Sequence, residues 1–134
     1  MFPVTIYHNP DCGTSRNVLA AIRAAGYSPT VVEYLHTGWT EAQLHGLFAA
    51  ANLTPRGALR TSKSPAEALG LTDPATDDAT ILAAMVAHPI LVNRPLVCTP
   101  RGVRLCRPSE AVLPLLENQP PAGFLKEDGT PLAP

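Results

Sequence analysis

The opening of the chain limits its folds most: a β-rich run, a turn, an amphipathic helix and a second β-rich run follow one another within 35 residues. Residues 4–7 (Val-Thr-Ile-Tyr) alternate as a strand does. His8-Asn9-Pro10-Asp11 is turn chemistry. Over residues 15–25, Val18, Leu19, Ile22 and Ala25 fall on one helical stripe, and Gly26 supplies a stop. Residues 30–35 then predict a second strand. A strand, a helix and a strand in direct succession build a parallel pair, because a helical crossover returns the chain to the same end of the sheet.

The rest of the chain completes the sheet. Thr40 with Gln43 forms a capping box that opens a helix through about residue 51. Ser64-Pro65-Ala66-Glu67 predicts a short helix ending near Gly70. Asp77 or Asp78 caps a helix through about Ala87, closed off by Pro89. Residues 96–99, a turn at Pro100-Arg101-Gly102 and residues 103–106 predict an antiparallel hairpin. Pro108-Ser109-Glu110 starts a last helix through about Glu117. The order β-α-β, helical insert, β-β-α is that of an α/β fold: a thioredoxin-like mixed four-stranded sheet with a helical insertion after its second strand. Residues 1–117 form the expected domain, with the insert at about 40–88, and 118–134 an extended Pro-rich C-terminal tail.

Composition narrows the function. The 134 residues are 46% hydrophobic and carry a formal net charge of −1, which suits one packed domain and gives no basic surface for nucleic acid or membrane. No run reaches the roughly 18 apolar residues of a membrane span, and residues 1–6 lack the charged and apolar regions of a secretory signal. The three cysteines, 12, 98 and 106, make neither a disulfide framework nor a paired zinc pattern. No metal site is expected, since His36, His45 and His88 lack ligand spacing. A reducing, cytoplasmic location and a monomer are expected. Of the ten cationic residues only Lys63 and Lys126 are lysines; the others are arginines, whose planar forks suit oxyanions.

Cys12 stands between the first strand and the first helix. Free N–H groups and the helix dipole at that entrance favour a thiolate, and a protonated His8 would favour it further. Gly13 leaves the backbone open to an anion, and Thr14 and Ser15 offer hydroxyls to cap the helix or donate to sulfur. With Ser at position 15 there is no CxxC pair, so another thiol, internal or borrowed, must resolve any adduct on Cys12. A Cys-x5-Arg phosphatase loop is excluded, because the sixth residue after Cys12 is Val18. Cys98 and Cys106 read as core thiols. Arg23, Arg56, Arg101 and Arg104 read as surface charges, and Arg16 as a residue of a solvated helix face.

The motifs Tyr7-His8-Asn9-Pro10-Asp11-Cys12-Gly13-Thr14-Ser15-Arg16-Asn17, Leu59-Arg60, His88-Pro89-Ile90-Leu91-Val92-Asn93-Arg94-Pro95, Leu105-Cys106-Arg107-Pro108-Ser109-Glu110 and Phe124-Leu125-Lys126-Glu127-Asp128-Gly129 resemble, in this order, the glutaredoxin-dependent arsenate reductases of the thioredoxin superfamily. The resemblance implies that Cys12 attacks arsenate, that Arg60, Arg94 and Arg107 bind the oxyanion, that His8 lowers the Cys12 pKa and that Ser15 hydrogen-bonds the thiolate. It also implies a cis-proline at Pro95 that aims Arg94 at Cys12, although only about 5–6% of X-Pro bonds are cis. Glutathione would be co-substrate and glutaredoxin the partner, with no bound cofactor. After Arg60 the chain departs from the common pattern, with Thr61-Ser62-Lys63. Two other readings share the fold: a regulatory protein that binds RNA polymerase, and a glutathione-dependent thiol oxidoreductase acting on another substrate.

Overall fold

Four strands form one mixed sheet in the order β2-β1-β3-β4 in the computed structural model, which describes residues 1–132. β1 (Thr5–Tyr7) pairs in parallel with β2 (Thr30–Val32), Ile6 opposite Val31. On its other side β1 runs antiparallel to β3 (Leu96–Thr99), with Ile6 opposite Val97, and β3 continues into β4 (Gly102–Leu105) as a hairpin. This is the expected thioredoxin-like α/β sheet. α1 (Gly13–Ala24) makes the crossover between β1 and β2. It buries Val18, Leu19, Ala21 and Ile22 in a core shared with Val4, Ile6, Val97, Val112 and Leu116. The helix ends as its sequence dictates: Gly26 takes φ +97, a left-handed conformation that a Cβ would strain.

The chain divides into two compact units, Met1–Glu33 with the stretch from Arg94 onward, and Tyr34–Asn93. The first holds the sheet and α1. The second holds α2 (Tyr34–Thr37), α3 (Glu41–Ala51) and α4 (Asp78–Ala87). The capping box at Thr40 is formed in full, with Thr40 Oγ1 accepting from the Gln43 N–H at 3.1 Å. Asp77, rather than Asp78, caps α4, its Oδ1 accepting from the Thr80 N–H at 2.8 Å.

Four expectations differ from what is built. The second strand stops at Val32 instead of residue 35, because Tyr34 opens α2 and is buried against Trp39, ring centroids 5.1 Å apart. Residues 64–70 make successive turns rather than a helix; Leu69 N–H bonds to Pro65 O and Leu71 N–H to Ala66 O, while only Ala66 and Leu71 bury side chains. The last helix is a 3-10 helix, Ser109–Leu115; it holds Pro114, whose ring would clash with the Glu110 carbonyl in an α-helix. The stretch expected as an extended tail folds back: Leu125 and Pro131 form a bridge, and Phe124 and Leu132 pack against the core. Residues 133 and 134 of that tail lie outside the described residues.

Candidate active site

Three loops of the sheet-bearing unit converge on Cys12. The first is its own. Asn9, 3% exposed, organises it: its backbone C=O accepts from the Cys12 N–H at 3.1 Å and its Oδ1 accepts from the Asp11 N–H at 2.9 Å. This side-chain-closed turn delivers Cys12 to the N-cap of α1 with φ −103 and ψ 120. The sequence marked Asn9 only as a turn residue; its burial comes from residues the turn motif does not contain.

The second loop brings Arg94 and the third brings Arg107. The Arg94-Pro95 bond is cis, and so is Arg107-Pro108, which the sequence reading did not anticipate. Pro95 is buried, and Arg94 is 9% exposed. Arg107, just past β4, donates from Nη1 to Cys12 Sγ at 3.7 Å and to the Arg94 carbonyl at 3.3 Å. One guanidinium thus ties the sulfur to the backbone of the loop that carries the other.

The thiol answers to competing influences. Burial pushes the Cys12 pKa up. The Ser15 backbone N–H, the charges of Arg94 and Arg107 and the Arg107 hydrogen bond pull it down, and together they prevail, so Cys12 sits below an ordinary thiol. The donor from residue 15 is therefore its amide; its hydroxyl is otherwise engaged. Ser15 Oγ lies 2.6 Å from His8 Nδ1 and accepts from the Asn9 N–H at 3.1 Å.

His8, expected to help the thiolate by charge, has surroundings that disfavour its cation. Burial leads the causes that lower its pKa, with Arg23 and Arg16 adding to it and Glu33 opposing, which favours the neutral ring. It orients Ser15 instead. Gly13 and Thr14 supply the first backbone N–H groups of α1, where helix geometry leaves amides without intrahelical partners. A Cβ on Gly13 would meet Arg16 and Glu127 only at ordinary contact distance, so the glycine opens the approach without being sterically required.

Arg60 belongs to the second unit. There it is 7% exposed, takes its place beside the bridge between Leu59 and Val92, and donates from Nε to the Ser62 carbonyl at 2.9 Å. Of the arginines read as surface, Arg56 is a structural hub: its guanidinium donates to the carbonyls of Leu71, Asp73 and Thr76. Arg101 donates to the Leu116 carbonyl at 2.7 Å. Cys106 is fully buried, with its thiol pushed up to about 12 by burial. Cys98 is half-buried and also raised. Among the described residues no group of three or more His, Cys, Asp or Glu side chains gathers for a metal, and no helix is long and apolar enough to cross a membrane.

A model of the ArsC family matches residues 7–115. The chain is 68% identical over 126 residues to an arsenate reductase of Synechocystis sp., covering 94% of this chain and 90% of that protein. It is 48% identical over 129 residues to the arsenate reductase of Escherichia coli strain K12, covering 96% and 92%. Among solved structures, the arsenate reductase from Vibrio cholerae superposes with a TM-score of 0.81 at 36% identity, over 86% of this chain and 98% of that one.

Proposed function

The chain belongs to the ArsC family, and on that premise we propose that it reduces arsenate to arsenite through a covalent adduct on Cys12. The observation that carries this reading is the Arg107 guanidinium set against the Cys12 sulfur at the entrance of α1. A thiolate held there is a nucleophile, and the cations around it attract and orient an oxyanion.

Under this reading arsenate docks on the first amides of α1, those of Gly13 and Thr14 among them, with Arg94 and Arg107 beside it. Arg60 is included as a third arginine on the strength of its sequence motif. The Cys12 thiolate attacks arsenic; a sulfur–arsenic bond forms and one oxygen leaves, protonated to water. The thiol of glutathione displaces a second oxygen as water, giving arsenic(V) held between two sulfurs. A glutaredoxin thiolate then attacks the glutathione sulfur. The new bond is a disulfide, the electron pair of the broken arsenic–sulfur bond stays on arsenic, and arsenic(V) becomes arsenic(III). Hydrolysis of the remaining bond releases arsenite and restores Cys12.

Two features support an external thiol. Ser15 stands where a CxxC motif would hold its second cysteine, and burial keeps Cys98 and Cys106 protonated. Glutathione at the concentrations of a reducing cytoplasm meets the need, and one chain supplies every residue named. The test is arsenate reduction with glutathione, glutaredoxin and an NADPH-coupled readout. Turnover is expected in the native chain and a loss of about a thousandfold or more in Cys12→Ser. Full activity in that variant sinks the reading.

A further inference from the structure

The family model ends at Leu115, yet the segment beyond it touches the helices that follow both loops of the thiolate site. Residues 124–132 fold into a small turn: Lys126 N–H bonds to Thr130 O at 2.8 Å, Leu132 N–H to Phe124 O at 3.3 Å, and Leu125 bridges Pro131. Gly129, at φ +82, takes the left-handed conformation the reversal needs, and Asp128 Oδ1 accepts from both the N–H and the hydroxyl of Thr130. Phe124 and Leu132 seat the turn on the core.

Two ion pairs then reach outward from adjacent residues. Glu127 receives Arg16 Nε at 2.7 Å and Arg16 Nη2 at 3.2 Å, while the third nitrogen, Nη1, donates to the Pro10 carbonyl at 2.8 Å. The Glu127 N–H adds a bond to Asn17 Oδ1 at 2.9 Å. The first turn of α1 and the loop just before Cys12 are therefore held by one carboxylate through one guanidinium. On the other side Lys126 Nζ meets Glu110 Oε2 at 2.8 Å, in the 3-10 helix that starts two residues after Arg107. The Lys126 and Glu110 side chains are only 19% and 23% exposed.

We propose that residues 124–132 form a clip that fixes the Cys12 loop relative to the Arg107 loop, with Arg16, Asn17, Glu110, Lys126 and Glu127 as positioning residues. The 3.7 Å approach of Arg107 to the Cys12 sulfur spans two loops with no covalent link near the site. The sheet carries both loops, and this turn adds a second tie between the helices that follow them. The stability contribution of the Arg16–Glu127 pair is small, since its side chains are 44% and 50% exposed. Its effect belongs to geometry.

The clip rests on the reading of Cys12 as the reactive thiol, but its test needs no arsenate. The pH dependence of Cys12 alkylation is measured in the full chain for Arg16→Met, Glu127→Gln, Lys126→Met and Glu110→Gln, with thermal melting alongside. The charged or titratable groups that act on Cys12 or share its loop are Arg94, Arg107, Arg16 and Asp11, with His8 behind Ser15. If the four clip residues act through charge alone, losing a cation raises the Cys12 pKa and losing a carboxylate lowers it. A clip predicts the same sign for all four. Each variant is expected to raise the pKa by about half a unit or more, leaving about threefold less thiolate at a pH below it. A carboxamide variant that lowers the pKa, or leaves it unmoved while melting earlier, overturns the proposal. Arsenate turnover surviving in Cys12→Ser would instead overturn the function and leave the clip standing.

Discussion

Cys12 and Cys106 are almost equally hidden, 6% and 0% exposed, and both belong to the sheet-bearing unit, yet their thiols move in opposite directions. Burial penalises the thiolate at both. At Cys106 the neighbours are core residues such as Val97 and Val112, Arg104 offsets little, and the thiol rises to about 12. At Cys12, which lies less deep, an amide of the helix entrance and two guanidinium groups outweigh the penalty. The direction in which a cysteine of this chain moves therefore follows both its depth and the donors around it.

The largest effect that this contrast predicts is selectivity of alkylation. At pH 7 a thiol titrating near 12 is ionised to about one part in 10⁵, so iodoacetamide should label Cys12 and leave Cys106 intact in the folded chain. Equal labelling of the two, read by mass spectrometry of the peptides, would break the comparison. Next comes Arg107→Ala. A charge-assisted hydrogen bond contributes about 1.5–3 kcal/mol, so kcat/KM for arsenate should fall about 10- to 100-fold, and the pH profile of Cys12 alkylation should shift upward. Cys106→Ala should do the converse: activity stays, and stability to urea falls by about 1 kcal/mol as core contacts are lost.

The smallest effect concerns His8. Its folded pKa is depressed from 6.5, so the unfolded chain takes up the proton first as pH falls. Stability from this group is complete above pH 6.5 and is lost as pH drops toward and through the lowered folded value. His8→Gln should flatten the melting temperature between pH 7.5 and 5.5 by a degree or two, on the order of a fraction of a kcal/mol. At pH 7 the same change should move the Cys12 pKa less than Arg107→Ala does, since the surroundings of the ring favour its neutral form.

Much of the fold was legible because its signals are local. The capping box at Thr40 and Gln43 joins residues three apart, and the Asp77 cap on Thr80 does likewise. The stripe of α1 repeats within a turn, and the hairpin of β3 and β4 closes over Pro100 and Arg101. Cys12 was legible for the same reason, as a thiol between a strand and a helix. The failures also have a local look and a distant cause. Residues 30–35 carry β-rich chemistry throughout, but Tyr34 turns away to bury itself against Trp39. Residues 64–70 have a helix start but only Ala66 and Leu71 to bury, too little to propagate one.

Residue order by itself determined the parallel opening pair and the place of Cys12 between a strand and a helix, because propensity, capping and periodicity act over a few residues; the candidate arginines came from the family resemblance of their motifs. Only tertiary structure decided that Arg107 would meet a sulfur 95 positions away, that Glu127 would reach Arg16 across 111, and that burial would lower the pKa of His8. Each of these depends on how much water the rest of the chain removes from a side chain and which charge it puts there instead, and desolvation is a property of the assembled surroundings that no short window of sequence contains.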